Sequence, residues 1–195
     1  MTEIRLSNPP LKTPSLRLRA LALSDAEAMH EIYADPETMK YWSSEPVSHL
    51  EDTRRLVQKD LDAAAAGSAA FWGISLNGDD RAIGKCVLFN CSSANRRAEV
   101  GYVLNRGHWG RGLMREALQA MIDHAFGPLG LHRLEADTNP ANAASLGLLQ
   151  RLGFRQEGLF RERWLVYGEW QDSVMLGLLK SDWEAIGTEL QTSGP

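Results

Sequence analysis

The feature that most constrains this chain is where its apolar period changes. From Ser24 up to a run of alanines before Gly67 the apolar residues recur at helical spacing; from Ala69 to Leu104 they cluster in short strand-like runs; from Leu113 helical spacing returns. Leu50, Val57 and Leu61 mark one stripe before the first change. The middle stretch holds FWGISL, a turn at NGDD, AIGKCVLFN, polar SSANRR and then AEVGYVL, which read as three successive antiparallel strands. After it, Leu113, Ala117, Leu118, Met121, Ile122, Ala125 and Phe126 line one face of a long helix that ends at Gly127-Pro128. Helix and sheet each carry one apolar face, and each face needs the other to leave water.

The flanking segments extend that arrangement. Ser15 to Leu21 alternates apolar and basic residues like a half-exposed strand. Ser24 with Glu27, and Ser48 with Glu51, are capping-box signatures for two helices, the first interrupted at Asp35-Pro36. Beyond the long helix come a strand over Arg133 to Thr138 and a helix from about Pro140 to Leu152, stopped by Gly153. Two strands then flank a turn at Tyr167-Gly168-Glu169, and a short helix capped by Ser181 precedes the tail TSGP. The expected fold class is α/β in the α+β sense: a mixed, mostly antiparallel seven-stranded sheet flanked by helices on both faces. No polar linker divides the chain, so residues 1–195 are expected to form one domain, with 1–14 and 189–195 as peripheral tails.

Composition narrows the function classes. A formal net charge of -4 gives no electrostatic reason for nucleic acid or an anionic membrane as partner. The N-terminus lacks a basic region followed by an apolar run, and no stretch approaches the roughly 18 to 20 apolar residues of a membrane helix, so a cytoplasmic location is expected. Cys86 and Cys91 read as buried or half-buried thiols, and the five histidines fall in no metal-binding pattern, so no metal is expected.

The segment HWGRGLM, His108 to Met114, opens the long helix. The first N–H groups of a helix lack intrahelical partners, and the aligned peptide dipoles make that end attractive to phosphate. Gly110 and Gly112 let an anion approach the amides closely, and Arg111 adds a formal charge. No G-K-[ST] follows, as a P-loop requires, and the third glycine of the dinucleotide fingerprint is missing. By itself the segment reads either as an anion site or as a tight turn.

Three longer stretches in order, AEVGYVLNRGHWGRGLMREAL, NPANAASLGLLQRLGF and GEWQDSVMLGLLKSDW, resemble the GNAT superfamily, and most of all its ribosomal-protein N-terminal acetyltransferases of the RimJ and RimL type. The resemblance spans about Leu16 to Trp183. It implies an N-acetyltransferase with acetyl-CoA as cosubstrate and an amine acceptor, either a ribosomal or other protein N-terminus or a small molecule such as an antibiotic, amino acid or polyamine. A non-catalytic acyl-CoA-binding domain is the third alternative, and the assembly is expected to be monomer or homodimer. The resemblance makes His108, Trp109, Gly110, Arg111, Gly112, Leu113 and Met114 the pyrophosphate loop, although Gly107 stands where the family motif has Gln or Arg. It implies that Val103 and Leu104 offer peptide groups to the pantetheine arm where the sheet splays between its fourth and fifth strands, and that Asn142 and Ser145 face the pantetheine and the thioester sulfur.

Acetyl transfer to an amine needs a neutral nucleophile, an oxyanion donor and a protonated leaving thiol. Freeing an α-amine of its proton at pH 7 costs about 1 to 1.4 kcal/mol, against roughly 4.6 for lysine, which favours a chain N-terminus. Glu99 is a candidate general base or ammonium-attracting group, or a strand-end surface carboxylate. A peptide N–H near Val103 is a candidate oxyanion donor in the sheet opening. Ser145 is a candidate proton donor to the thiolate, or a helix-start hydroxyl bonded to backbone; Tyr167 is the alternative acid. Tyr41 and Trp42 are candidates for the acceptor wall, or core aromatics.

Overall fold

A computed structural model describes residues 3–192, with side chains through residue 186. The strands are β1 (Leu11–Lys12), β2 (Leu16–Ala20), β3 (Ala70–Leu76), β4 (Gly84–Ser92), β5 (Arg97–Leu104), β6 (Arg133–Thr138), β7 (Arg155–Val166) and β8 (Glu169–Leu179). The helices are α1 (Ala26–Tyr33), α2 (Pro36–Met39), α3 (Leu50–Ala66), α4 (Leu113–Phe126), α5 (Ala143–Arg151) and α6 (Lys180–Thr192). One sheet runs in the order β1-β2-β3-β4-β5-β6-β8-β7, and only β5 and β6 pair in parallel. The fold class is therefore the expected mixed, mostly antiparallel α/β sheet, but with eight strands rather than seven among the described residues. The extra strand is β1, whose two residues pair with β2 through Leu11–Leu18 and Lys12–Arg17. Proline-rich sequence on both sides hid it, because so short a strand has no period to read.

The opening residues, expected at the periphery, are packed onto the domain. Leu6 is buried, Trp72 Nε1 donates to the Pro9 carbonyl at 2.8 Å, and Glu116 on α4 accepts from Thr13 Oγ1 at 2.6 Å and Ser15 N at 2.7 Å. The expected helix caps also differ. Ser24 lies inside a 3-10 turn, Leu23–Asp25, and Asp25 closes that turn by accepting from Ala22 N while gripping both terminal nitrogens of Arg19. The cap residue of α3 is His49 and not Ser48, and α6 begins at Lys180, one residue before Ser181. In each case packing moved the helix start by one or more residues from its sequence signature. The tail residues 193–195 lie outside the described residues.

Two apolar layers sandwich the sheet. Ala98, Val100 and Leu104 of β5 point to one face, where the whole predicted stripe of α4 is buried along with Leu149 of α5. Val103 points to the other face, toward Met29 and Ile32 of α1 and Val57 of α3. This second layer contains a buried ion pair: Lys85 of β4 reaches Asp60 of α3, with its ammonium 5.3 Å from the Tyr33 ring centre and 5.2 Å from that of Phe71.

The sheet also contains its own opening. β5 and β6 are neighbours only over Arg97–Arg133, Ala98–Leu134 and Glu99–Glu135. Beyond Glu99, β5 continues to Leu104 with β4 alone, whereas β6 continues to Thr138 with β8 alone. The parallel pair is linked by α4, as such a crossover requires.

Breaking one side of the Lys85–Asp60 pair leaves the other charge buried. Asp60→Ala should therefore cost about 3 kcal/mol or more, and Asp60→Leu with Lys85→Met should regain most of that, both measured by urea unfolding. His124 is buried with Nε2 3.2 Å from the Ser7 carbonyl, and burial holds its pKa below the usual imidazole range. Its contribution is complete above the unfolded pKa, about 6.5, and is lost as pH falls from there toward the folded value. His124→Gln should accordingly flatten the decline in unfolding free energy between pH 7 and pH 5.

Candidate active site

The loop before α4 is built by its own side chains. Asn105 Oδ1 accepts from Gly107 N at 2.9 Å, closing a 3-10 turn over Arg106–His108. Trp109 folds back so that its indole donates to the Leu104 carbonyl at 2.8 Å. Gly110 and Gly112 take φ values of 72° and 76°, which an L side chain adopts only with strain, and a Cβ on either would meet nothing within 4 Å. The loop surface is thus open to a ligand. The first intrahelical acceptor of α4 is the Gly112 carbonyl, bonded to Glu116 N, and Gly112 offers no side-chain cap. The amides of Leu113, Met114 and Arg115 therefore lie ahead of the helical ladder, where an anion is stabilised. Exposed Arg111 stands beside half-buried His108, with Nη1 3.2 Å from Nδ1. Arg106 does not brace the loop; it pairs with Asp35, the cap of α2, at 3.4 Å. The side chains that brace the loop are Asn105 and Trp109.

The opening between β5 and β6 leads from this loop into the sheet. Asn105 N donates to the Ile83 carbonyl, and a Cβ on Gly84 would lie 2.4 Å from the Val103 oxygen. Peptide groups alternate sides along a strand, so Val103 turns its N–H and C=O toward β4, while Tyr102 and Leu104 turn theirs toward the opening. This corrects the expectation that Val103 offers its peptide group to the pantetheine arm, because that group is turned into the β4 ladder. The Leu104 carbonyl faces the open side but is already held by Trp109. The donors left facing the gap are the N–H groups of Tyr102 and Leu104.

Beyond the gap, Asn142 caps α5 by accepting from Ser145 N at 3.0 Å. Ser145 Oγ then lies 2.6 Å from Tyr102 Oη. Burial pushes the Tyr102 phenol up to about 12, only partly offset by its bond to Ser145, so the phenol stays protonated at neutral pH. Nothing in the local sequence announced this pair. The one signal was a tyrosine among Ala98, Val100 and Leu104 on a core-facing period, since a tyrosine in such a place needs a partner for its hydroxyl.

Glu99 lies on the opposite face from Tyr102 and Ser145, with Asn90 Nδ2 donating to its Oε1 at 3.2 Å. The two groups of candidate residues can meet only through the gap. Asp137 of β6, also absent from the sequence reading, occupies the Glu99 face. Its carboxylate accepts from Ser173 Oγ and pairs with Arg163 Nε at 2.8 Å, and burial raises its pKa. On the same side, Trp42 packs edge-on against Tyr33 with ring centres 6.2 Å apart. Tyr41 is half-buried with the Lys40 ammonium 5.6 Å from its ring centre. Tyr167 sits in the turn at the tip of the β7–β8 hairpin, 55% exposed and seven residues before Val174, the last β8 partner of β6. The tyrosine beside Ser145 is Tyr102.

No helix among the described residues is long and apolar enough to cross a membrane, and no cluster of three or more potential metal ligands occurs among them.

Comparison with known proteins agrees with this geometry. Residues 15–155 match the acetyltransferase (GNAT) domain family. The chain is 37% identical to the N-acetyltransferase p20 of Bacillus licheniformis over 89% of its length and 97% of the relative's. It is 35% identical to the ribosomal protein uS5 alanine N-acetyltransferase of Escherichia coli, over 91% of this chain and 95% of that one. It is 26% identical to a spermidine N(1)-acetyltransferase of Vibrio cholerae, over 85% and 94%. Among solved structures, a GNAT-family acetyltransferase from Bacillus anthracis superimposes with a TM-score of 0.78 at 30% identity, covering 88% of this chain and 99% of that one. With a glycine-opened helix start, a parted β5–β6 pair and a family match over most of its length, the chain belongs to the GNAT family of N-acetyltransferases, whose cosubstrate is acetyl-CoA.

Proposed function

We propose that this enzyme acetylates the α-amine at the N-terminus of a polypeptide, by direct attack of the amine on the thioester in a ternary complex. The observation that carries the reading is the parted β5–β6 pair, which leaves one passage through the sheet between the Glu99 face and the Tyr102–Ser145 face. A thioester in that passage would be reached by an amine from one side and by a sulfur-directed hydroxyl from the other. The similarity to a uS5 alanine N-acetyltransferase, and the lower cost of deprotonating an α-amine than a lysine, support a chain terminus as acceptor.

Each residue then has a defined task. The amides of residues 110–114 hold the pyrophosphate, with Arg111 adding charge; those of His108 and Trp109, expected to share in this, already donate to the carbonyls of Asn105 and Arg106. The Tyr102 and Leu104 N–H groups stabilise the oxyanion as the new C–N bond forms. Glu99 attracts the ammonium form and takes its proton directly or through water. Ser145 offers its hydroxyl to the sulfur as the C–S bond breaks. Asn142 holds the start of α5 so that Ser145 stays in place. Tyr41 and Trp42 border the acceptor side.

Gly112→Asp should weaken acetyl-CoA binding by roughly a hundredfold or more in calorimetry, through a carboxylate set against phosphate. Gly112→Ala separates that repulsion from backbone strain and should lose much less; equal losses would remove the loop assignment. A thiol-release screen across N-terminal peptides, lysine peptides, polyamines and aminoglycosides should give its highest kcat/KM with an N-terminal peptide. A preference for spermidine would transfer the acceptor assignment to polyamines. Glu99→Gln should lower kcat about 100-fold with the KM for acetyl-CoA little changed.

A further inference from the structure

We infer that Tyr102 is a positioning residue that fixes the Ser145 hydroxyl as a hydrogen-bond donor to the leaving sulfur. Its phenol lies 2.6 Å from Ser145 Oγ, across the 43 residues that separate the two in sequence. A phenol is a more acidic donor than an alkanol, and a hydroxyl has a single hydrogen to give. In the favoured orientation Tyr102 Oη–H donates and Ser145 Oγ accepts. Ser145 keeps its own hydrogen for a second partner, and its rotation about Cβ–Oγ is restrained.

Serine near a helix start ordinarily turns its hydroxyl back to a nearby backbone group. Here Ser145 N is already satisfied by the Asn142 cap, and Oγ is drawn instead to β5, the strand bordering the gap. Tyr102 is itself held on the core face of β5 between Val100 and Leu104, packed against the layer that contains α4 and α5. The strand thus sets the ring, the ring sets the hydroxyl, and the hydroxyl faces the passage.

The chemical step balances without a proton leaving either side chain. The amine nitrogen forms the C–N bond, its surplus proton passes to Glu99 or water, and the C–S bond breaks with its electron pair moving to sulfur. Ser145 stabilises the departing thiolate by hydrogen bonding, and Tyr102 strengthens that bond by polarising Oγ–H. Burial pushes the Tyr102 phenol up to about 12, so the donor 2.6 Å from Ser145 Oγ persists throughout the neutral range.

This inference rests on the proposed acetyl transfer, and a double-mutant cycle tests it separately. Wild-type thiol release that depends on an added amine first establishes the reaction; without such release the proposed function fails before the cycle begins. Tyr102→Phe should lower kcat about tenfold, the worth of one hydrogen bond, with acetyl-CoA affinity and thermal midpoint near wild type. In the Ser145→Ala background the same change should have little further effect, because the Tyr102 phenol acts only through Ser145, and the substitution leaves the Tyr102 N–H in place. Equal losses from Tyr102→Phe with and without Ser145 would overturn the inference, as would a wild-type kcat for Tyr102→Phe. If Tyr102→Phe proves unstable, Tyr102→Trp and Ser145→Thr supply a second cycle. There, Ser145→Thr should retain most of the rate only when Tyr102 is present, and retention regardless of residue 102 would again defeat the assignment.

Discussion

Everything in this structure that bears on chemistry depends on three residue pairs, the parallel contact of Arg97, Ala98 and Glu99 with Arg133, Leu134 and Glu135. That contact is long enough to join the two halves of the sheet and short enough to leave it open beyond. A continuous pairing of β5 with β6 would consume the peptide groups of Tyr102 and Leu104 in a ladder, and nothing could pass between the faces. Charged side chains secure the short contact from one side. Glu135 is gripped by Arg97 and Arg133, and Arg133 also holds Glu157 of β7. The far side of the same strands is apolar, with Ala98 and Leu134 fully buried.

The two layers on the sheet serve different purposes. The layer containing α4 and α5 lies on the side that the proposed function gives to the cosubstrate, and both helices begin beside the gap: α4 at Leu113 behind the glycine loop, and α5 at Ala143 behind the Asn142 cap. The layer containing α1 and α3 lies on the face that the proposed function gives to the acceptor and holds the buried Lys85–Asp60 pair. Such a pair adds little net stability, because its attraction is spent against desolvation. The N-terminal strap links the strand end of the sheet to α4 through Thr13, Ser15 and Glu116.

Much of the fold was legible in the sequence where the information is local. The long helix from Leu113 to Phe126 followed from its apolar spacing, and β6 and the helix of residues 143–151 lay where alternation and a glycine stop indicated. The caps were less legible, because Ser24, Ser48 and Ser181 all carry the right chemistry but compete with tertiary contacts such as Arg19–Asp25. The glycine loop was readable as an anion site, although its bracing by Asn105 and Trp109 was not. The indole N–H of Trp109 finds the Leu104 carbonyl, a contact that no local pattern announces.

What the sequence by itself determined is the family and the list of elements apart from β1 and α2, since periodicity, glycine conformation and motif spacing are properties of neighbouring residues. Tertiary structure alone decided which peptide groups face the gap, which face each candidate occupies, and which tyrosine meets Ser145. Val103 and Tyr102 are adjacent in the chain yet turn their amides to opposite sides, and only the pairing of β5 with β4 fixes which is which. Tyr102 and Ser145 meet because a crossover helix returns the chain to the same edge of the sheet, and no local pattern encodes a contact made across such a distance in sequence.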